Sequence, residues 1–342
     1  MKALITGGSG YFSSLLLRKL LAQGYQCSIF DINDADDRPP EVRFYQGDIR
    51  DEQAIVEASQ GVDVIHHNVA QVPLAKNRHL FESVNIQGTK NLLEAAKRNS
   101  IRKVIYTSSS AVFGVPKSNP VTEQSTPTPM EAYGQAKYEA EKLCHAYVEK
   151  GCDISIIRPR TIMGHGRLGI FQILFEWIYQ GANVPVFDDG KNIYQFVHAD
   201  DLAELCRLAG EKSGATIYNC GAKEFASMRA VLEHLCEHSQ TGSKVRSVPM
   251  TPAVWGMKIT SALGLSPLGA YHALMYGRSM YFDTSKAEKE LAWTPKYSNN
   301  QMFVESYQWY VKHRQEVLTH QGSSHHRSSL KQGVLRLVQR FL

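Results

Sequence analysis

A strand-like run at residues 3–6 leads without a break into Gly7-Gly8-Ser9-Gly10-Tyr11-Phe12-Ser13, and an apolar helical stretch follows before Gly24 stops it. Few folds accept that order. Glycines at 7 and 10 allow a tight turn and let a pyrophosphate approach bare backbone at a helix N-terminus, where the amide dipoles favour negative charge. Asp31 ends the next strand-like run, 21 residues beyond Gly10. A carboxylate there can accept from both ribose hydroxyls and would repel a 2′-phosphate, and no arginine follows at once to receive one. NAD is therefore the expected cofactor, in preference to NADP.

Further strand-like runs fall at 26–31, 42–46, 62–66, 103–108 and 154–158, alternating with helical patterns at 13–23, 52–58, 80–99 and 131–150. This alternation predicts an α/β fold, a Rossmann-type doubly wound parallel sheet with helices on both faces. The expected NAD-binding domain is 1–161, with 192–222 returning to it. Residues 162–191 and 223–320 then form a smaller α+β substrate-binding domain, and 322–342 a linker and basic C-terminal helix.

Tyr133-Gly-Gln-Ala-Lys137 carries the chemistry, 24 residues after Ser109. A tyrosine and a lysine at i and i+4 share one helix face. The ammonium favours the phenolate and is expected to draw the hydroxyl from its usual pKa of about 10 toward neutrality. Such a phenol can exchange a proton with an alcohol or ketone while a nicotinamide exchanges the hydride. In a chain with 16 tyrosines, about one chance match to this spacing is expected. Tyr138 and Lys142 supply one, turned by about 140° around the helix. Tyr138 has Glu139 and Glu141 just after it and reads as solvated surface, so Tyr133 is the candidate, with Gly134 and Ala136 leaving room for a substrate.

Charge and cysteine content narrow the setting. The net charge is +5, but Arg327, Lys331, Arg336 and Arg340 fall in 323–342 with no acid, which leaves a nearly neutral body and no case for nucleic acid. No apolar run reaches the length of a membrane span. The first strand starts at Lys2, leaving no room for a signal peptide, and six scattered cysteines without a C-x-x-C pair fit reduced thiols. A cytoplasmic location is expected. Beyond a polar linker, Leu330, Val334, Leu337, Val338 and Phe341 recur at helical spacing. That basic amphipathic segment, 330–342, suits either docking on protein or peripheral contact with the anionic inner face of a membrane.

Several ordered blocks extend the pattern: Thr6-Gly-Gly-Ser-Gly10, Gly47-Asp48-Ile49, Asn85-Ile-Gln-Gly88-Thr89, Ser108-Ser-Ser-Ala-Val-Phe-Gly114, Tyr133-x-x-x-Lys137, Arg158-Pro159 and Phe196-Val-His-Ala-Asp-Asp201-Leu202. With them the chain resembles the NAD-dependent epimerase/dehydratase branch of the extended short-chain dehydrogenase/reductase family. It is also similar to 3-beta-hydroxysteroid dehydrogenase-like members. The resemblance implies catalysis by Ser109, Tyr133 and Lys137. It implies cofactor contacts from Gly7, Gly10, Tyr11, Phe12, Asp31, Asp48, Ile49, Ala70, Asn85, Ser108, Tyr133, Lys137 and Pro159, with Asn85 also pinning its helix to the sheet. A homodimer paired through helices 80–99 and 131–150 is implied as well.

The departures from that family are informative. Ser13 stands where a third glycine is usual, and is small enough to keep helix and sheet close. Ser110-Ala111 replaces the Asp-Glu pair of the sugar 4,6-dehydratases, so dehydration is not expected. Thr161 replaces an asparagine that contacts a substrate diphosphate, and Arg278 lies at a shifted offset. Arg160, Thr161, Arg167 and Arg278 are the candidate substrate contacts. The nearly uncharged stretch 254–276 reads as a buried helical cap or as an apolar entrance. His66, His67, His165 and His198 have no metal-ligand spacing, so no metal is assigned. The leading reading is an epimerase or oxidoreductase acting on a secondary alcohol of a nucleotide- or lipid-linked sugar. The alternative is a hydroxysteroid-dehydrogenase-like or 3-keto reductase with an apolar alcohol or ketone as substrate. A non-catalytic NAD-binding regulator is the third, and the intact Ser109, Tyr133 and Lys137 count against it.

Overall fold

The computed structural model describes residues 1–72, 78–263, 265, 270–319 and 335–339. Its first half alternates β1 (Lys2–Thr6), α1 (Tyr11–Ala22), β2 (Gln26–Asp31), β3 (Arg43–Gln46), α2 (Glu52–Ala58) and β4 (Val64–His67). A single turn, α3 (Arg78–Leu80), runs through a π-helical stretch, Phe81–Gln87, into α4 (Gly88–Arg98). Next come β5 (Lys103–Thr107), a 3-10 turn at Ser110–Phe113, α5 (Ala132–Val148) and β6 (Ile154–Pro159). The second half holds β7 (Thr161–Met163), α6 (Ile170–Tyr179), β8 (Val184–Phe187), β9 (Phe196–His198), α7 (Ala199–Glu211) and β10 (Thr216–Cys220). It closes with α8 (Met228–Ser239), β11 (Val245–Val248), α9 (Met250–Ala262), α10 (Ala270–Met275), α11 (Ser285–Leu291), α12 (Asn299–Thr319) and α13 (Leu335–Val338).

Seven strands form one sheet in the order β10-β6-β5-β4-β1-β2-β3, every pair parallel. The central strands β1, β4, β5 and β6 are buried along nearly their whole length because helices cover both faces. Leu16, Leu17 and Leu20 of α1 pack with Leu202, Leu205 and Cys206 of α7 on one face. On the other face Ile55 and Val56 meet Leu92, Leu93, Cys144 and Tyr147. Each fully buried side chain of this size contributes about 1.5–3 kcal/mol. A separate aromatic cluster around Phe171, Phe175, Phe196, Phe303 and Tyr310 holds α6, β9 and α12 together.

The strand order reverses beside β1, and there the ends of β1 and β4 open the crevice in which such sheets bind ligands. Gly7 sits in that crevice at φ +68°, and a Cβ on it would lie 3.1 Å from the Val69 amide nitrogen. Only glycine satisfies both the dihedral and the contact.

The helix expected across 80–99 is interrupted. Its first part is π-helical, and the Asn85 amide within it takes both the N–H of Gln71, at 2.7 Å, and the carbonyl of Gln71, at 3.1 Å. Asn85 thus ties the helix to the loop leaving β4. Ser13 is buried on α1, its small side chain accommodated where a glycine is usual. Asp201, from the motif beginning at Phe196, accepts the backbone N–H groups of Lys296 and Tyr297, so it fastens the loop before α12. Half of the reading of 254–276 is corrected: α9 is no buried cap, for Trp255, Ile259, Leu263 and Leu265 are all more than half exposed.

Of the tail, 320–334 and 340–342 lie outside the described residues, and with them Arg327, Leu330, Lys331, Val334, Arg340 and Phe341. The turn at 335–339 rests on protein: Leu335 packs against the aromatic cluster and the Gln339 amide donates to Gln180 Oε1 at 2.9 Å. Among the described residues no helix is long and apolar enough to cross a membrane.

Candidate active site

Ser109 leaves β5 in an extended conformation and starts the 3-10 turn, its Oγ accepting the Ala111 N–H at 3.1 Å. Glu131 caps α5 by accepting the amides of Tyr133 and Gly134, which fixes Tyr133 in the first turn. At Gly134 a Cβ would lie 2.4 Å from the Ala111 carbonyl oxygen. The glycine is therefore needed for α5 to approach the Ser109 turn, a structural reason that replaces the expected one of room for substrate. Ser109 is thereby brought near enough to the Tyr133 hydroxyl to act on its ionisation, with the Phe81 ring edge-on at 6.2 Å.

The electrostatics correct one expectation. Burial pushes the Tyr133 phenol up to about 12; the Ser109 hydroxyl pulls it down, Glu131 raises it and the Arg167 guanidinium lowers it. Lys137 is not among those influences. Its ammonium donates to the Thr107 carbonyl at 2.8 Å and stands 4.9 Å from the Tyr106 ring centre. Burial lowers Lys137 itself to about 8, so desolvation outweighs the attraction that i, i+4 spacing alone suggests. Arg167 comes from the loop after β7, 34 residues beyond Tyr133, and its side chain crosses the Tyr11 ring at 5.6 Å. Its Nη1 is buried without a partner, and burial lowers the guanidinium to about 10.

The three adjacent serines divide their work. Ser108 turns away into the sheet and donates to Glu141 Oε1 at 2.6 Å, where Arg158 forms a buried two-pronged ion pair with the same carboxylate. Its side chain is therefore committed to that cluster. Ser110 Oγ accepts from Arg160 Nη1 at 2.8 Å. Arg160 is 1% exposed, with its charge over the faces of Tyr194 and Phe282. Thr161 shares a 2.9 Å hydrogen bond with the Tyr194 hydroxyl. Arg278 is exposed in the turn after α10. Tyr138 is half-buried against Val112 and Phe113, while Lys142 is paired with Glu139 outside.

The cofactor end fits NAD. Asp31 accepts from the Ser9 and Asn33 amides at 3.1 and 3.4 Å, and burial raises its carboxyl against the pull of those bonds. A carboxylate has lone pairs beyond two such bonds for ribose hydroxyls. Gly7 and Gly10 leave the turn open to a phosphate, and Tyr11 and Phe12 begin α1 behind it. Ile49 is buried against Gly88, and Asp48 is paired with Arg50 on the half-exposed rim. Ala70 lies on the loop after β4 and Pro159 ends β6 beside Cys220.

One grouping escaped the spacing argument. His165, His198 and Glu305, from three distant segments, bring ligand atoms within 4.8 Å of one another. His198 Nδ1 accepts the Asp200 N–H as the cap of α7. In that neutral tautomer Nε2 carries the proton, which leaves neither nitrogen free for a cation.

Comparison with known proteins places this geometry. The sequence model of the NAD dependent epimerase/dehydratase family matches residues 3–221. The uncharacterized protein y4nG of Sinorhizobium fredii is 50% identical over 337 residues, covering 98% of this chain and 85% of that protein. The Homo sapiens sterol-4-alpha-carboxylate 3-dehydrogenase, decarboxylating, is 32% identical over 213 residues, 61% of this chain and 57% of that enzyme. In three dimensions the chain is similar to the UDP-glucose 4-epimerase of Thermotoga maritima solved with UDP-glucose. That match has a TM-score of 0.77 at 22% identity, over 91% of this chain and 99% of the other.

Proposed function

The chain belongs to the NAD dependent epimerase/dehydratase family and is an NAD-dependent enzyme of the oxidoreductase type; from that premise we propose that it works on a secondary alcohol of a lipid-linked sugar. The observation that carries the chemistry is the close approach of the first turn of α5, which bears Tyr133, to the turn that starts at Ser109. Ser109 fixes the substrate oxygen, and the Tyr133 phenol takes its proton in oxidation and returns one in reduction. NAD, when bound, supplies the hydride acceptor and a positive charge that favours the phenolate. Lys137, held by the Thr107 carbonyl, orients the nicotinamide ribose. Arg167, whose Nε donates to the Ile162 carbonyl at 3.3 Å, offers a buried Nη1 with no partner, and we assign that nitrogen to an acidic group on the substrate.

Elimination of water is not part of this reading, because Ser110 is engaged by Arg160 and no carboxylate follows Ser109. A nucleotide diphosphate is disfavoured by the locked Thr161–Tyr194 pair and by the exposure of Arg278. A second reading, a hydroxysteroid-type dehydrogenase, draws support from the name of the human relative and from the same polar triad. In either reading α4 and α5 are the surfaces we assign to a homodimer.

The test is NADH formation from NAD with three groups of alcohols: polyprenyl-phosphate sugars, nucleotide sugars and hydroxysterols. Turnover of the polyprenyl-phosphate sugars is expected. Turnover confined to nucleotide sugars would overturn the lipid-linked reading, and turnover confined to hydroxysterols would transfer it to the second.

A further inference from the structure

From His238 to Phe282 the chain carries no acidic residue and four basic ones, Lys244, Arg246, Lys258 and Arg278. All four are exposed. Within this stretch none of the α9 residues whose burial is described is fully buried. Trp255, Ile259 and Leu263 follow one another at i, i+4 and i+8 on one side of it, with exposures of 63%, 54% and 67%, and Leu265 continues at 53%. Lys258 stands 5.8 Å from the Trp255 ring centre. The other exposed large apolar residues, such as Ile32, Met130 and Val311, are scattered singly along the chain, the ordinary condition of a soluble surface. A row of four that includes a tryptophan, in a segment of one charge sign, is a different object.

We infer that α9 with Leu263 and Leu265 forms an interfacial docking element that seats the protein on an anionic lipid bilayer, its apolar row in the acyl boundary and Lys258 at the headgroups, with Lys244, Arg246 and Arg278 on the flanking segments. Charge complementarity selects this occupant. A second copy of the chain on the same face would bring basic segment against basic segment, whereas phosphatidylglycerol-type headgroups supply the missing negative charge. The composition is that of helices lying in the interface plane: low acid content, a tryptophan and neighbouring lysine. The element is held from behind, since the Met250 N–H donates to Asp188 Oδ1 at 2.9 Å. It is also connected to chemistry. On α10, which packs against α9, His272 feels the Arg167 guanidinium. Met275 packs with Val112 and Phe113, three and four residues beyond Ser109. Docking through α9 would therefore place the substrate end of the site beside the bilayer, where a lipophilic substrate resides. The inference rests on exposure and charge, and stands whichever alcohol is oxidised.

The experiment is flotation of the full chain with two kinds of vesicle, phosphatidylcholine alone and phosphatidylcholine mixed with phosphatidylglycerol. The same assay is run on a chain lacking 323–342 and on a Trp255→Ser, Ile259→Ser, Leu263→Ser variant. Binding to the mixed vesicles is expected, weaker on phosphatidylcholine alone, retained without the tail, and reduced on the order of a hundredfold in the triple variant. NADH affinity and thermal midpoint report that this variant is folded and should match the wild type. Flotation that vanishes with the tail, or is unchanged in the triple variant, overturns the inference. So does a wild-type dimer that the triple variant converts to monomer, which would assign the face to a second copy.

Discussion

Helices α4 and α9 differ by two residues in length, and the more apolar of the two has no fully buried side chain among its described residues. α4, with two lysines, a glutamate and an arginine in eleven residues, places Leu92, Leu93, Ala95 and Ala96 against the sheet. α9 holds Met250, Val254, Trp255, Met257 and Ile259, and sends the largest of them outward. Apolar content therefore does not decide burial; the pattern does. In α4 charged and apolar residues alternate with helical period, so one face is defined as inside. α9 has a single charged residue, Lys258, too few to define an outside, and its exposed row has no counterpart among the described residues.

That contrast can be sharpened first at α4. Leu92→Ala should cost about 2–5 kcal/mol, the range for a fully buried leucine, read as a lowered denaturation midpoint; a loss below about 1 kcal/mol would mean that the helix is not part of the core. Asp31→Ala, at the far end of the same half, removes acceptors from the ribose hydroxyls. NAD affinity should fall roughly tenfold to a hundredfold and the preference over NADP should shrink with it. Calorimetric titration with both cofactors checks this, and an unchanged ratio would move the discrimination elsewhere.

Acid should act on the core and spare α9. Burial holds His66 and His67 at about 3 and His198 and His272 at about 4, below the ordinary value near 6.5. Their folded pKa values are depressed, so between those values and 6.5 the unfolded chain binds more protons. Stability is then complete above about 6.5 and drains away as pH falls toward 4. A thermal midpoint that stays flat from neutral to pH 5 would contradict this. His66, with neither ring nitrogen partnered, is the direct probe: His66→Leu should weaken the acid dependence. The smallest effect belongs to α9, where Trp255→Ser should change stability by no more than about 0.5 kcal/mol.

The same contrast explains what could be read from the sequence. The glycine turn, Asp31 and the alternating strands were legible because local backbone geometry and strand burial are written in nearby residues. Strand ends shifted by a residue or two, as at β4, which starts at Val64 because pairing with β1 and β5 sets its limits. Tyr133 and Lys137 stand out by their i, i+4 spacing, whereas Ser109 is singled out among three adjacent serines only through the family resemblance. What spacing could not supply was desolvation: a helical neighbour at i+4 looks like the controlling cation, yet the fold spends Lys137 on a carbonyl and brings Arg167 from another segment. The grouping of His165, His198 and Glu305 escaped for the same reason, since its members meet only in three dimensions. The outward face of α9 was left open between cap and entrance, because composition gives no direction without charged residues to mark it.

The most direct test of the account is Tyr133→Phe, assayed for NADH formation on the alcohols that the wild type turns over and titrated in parallel with NADH. The account predicts turnover reduced by about a hundredfold to ten-thousandfold with NADH affinity nearly unchanged, because the phenol oxygen handles the substrate proton and little else. Wild-type turnover in the variant would contradict it and remove Tyr133 from the reaction.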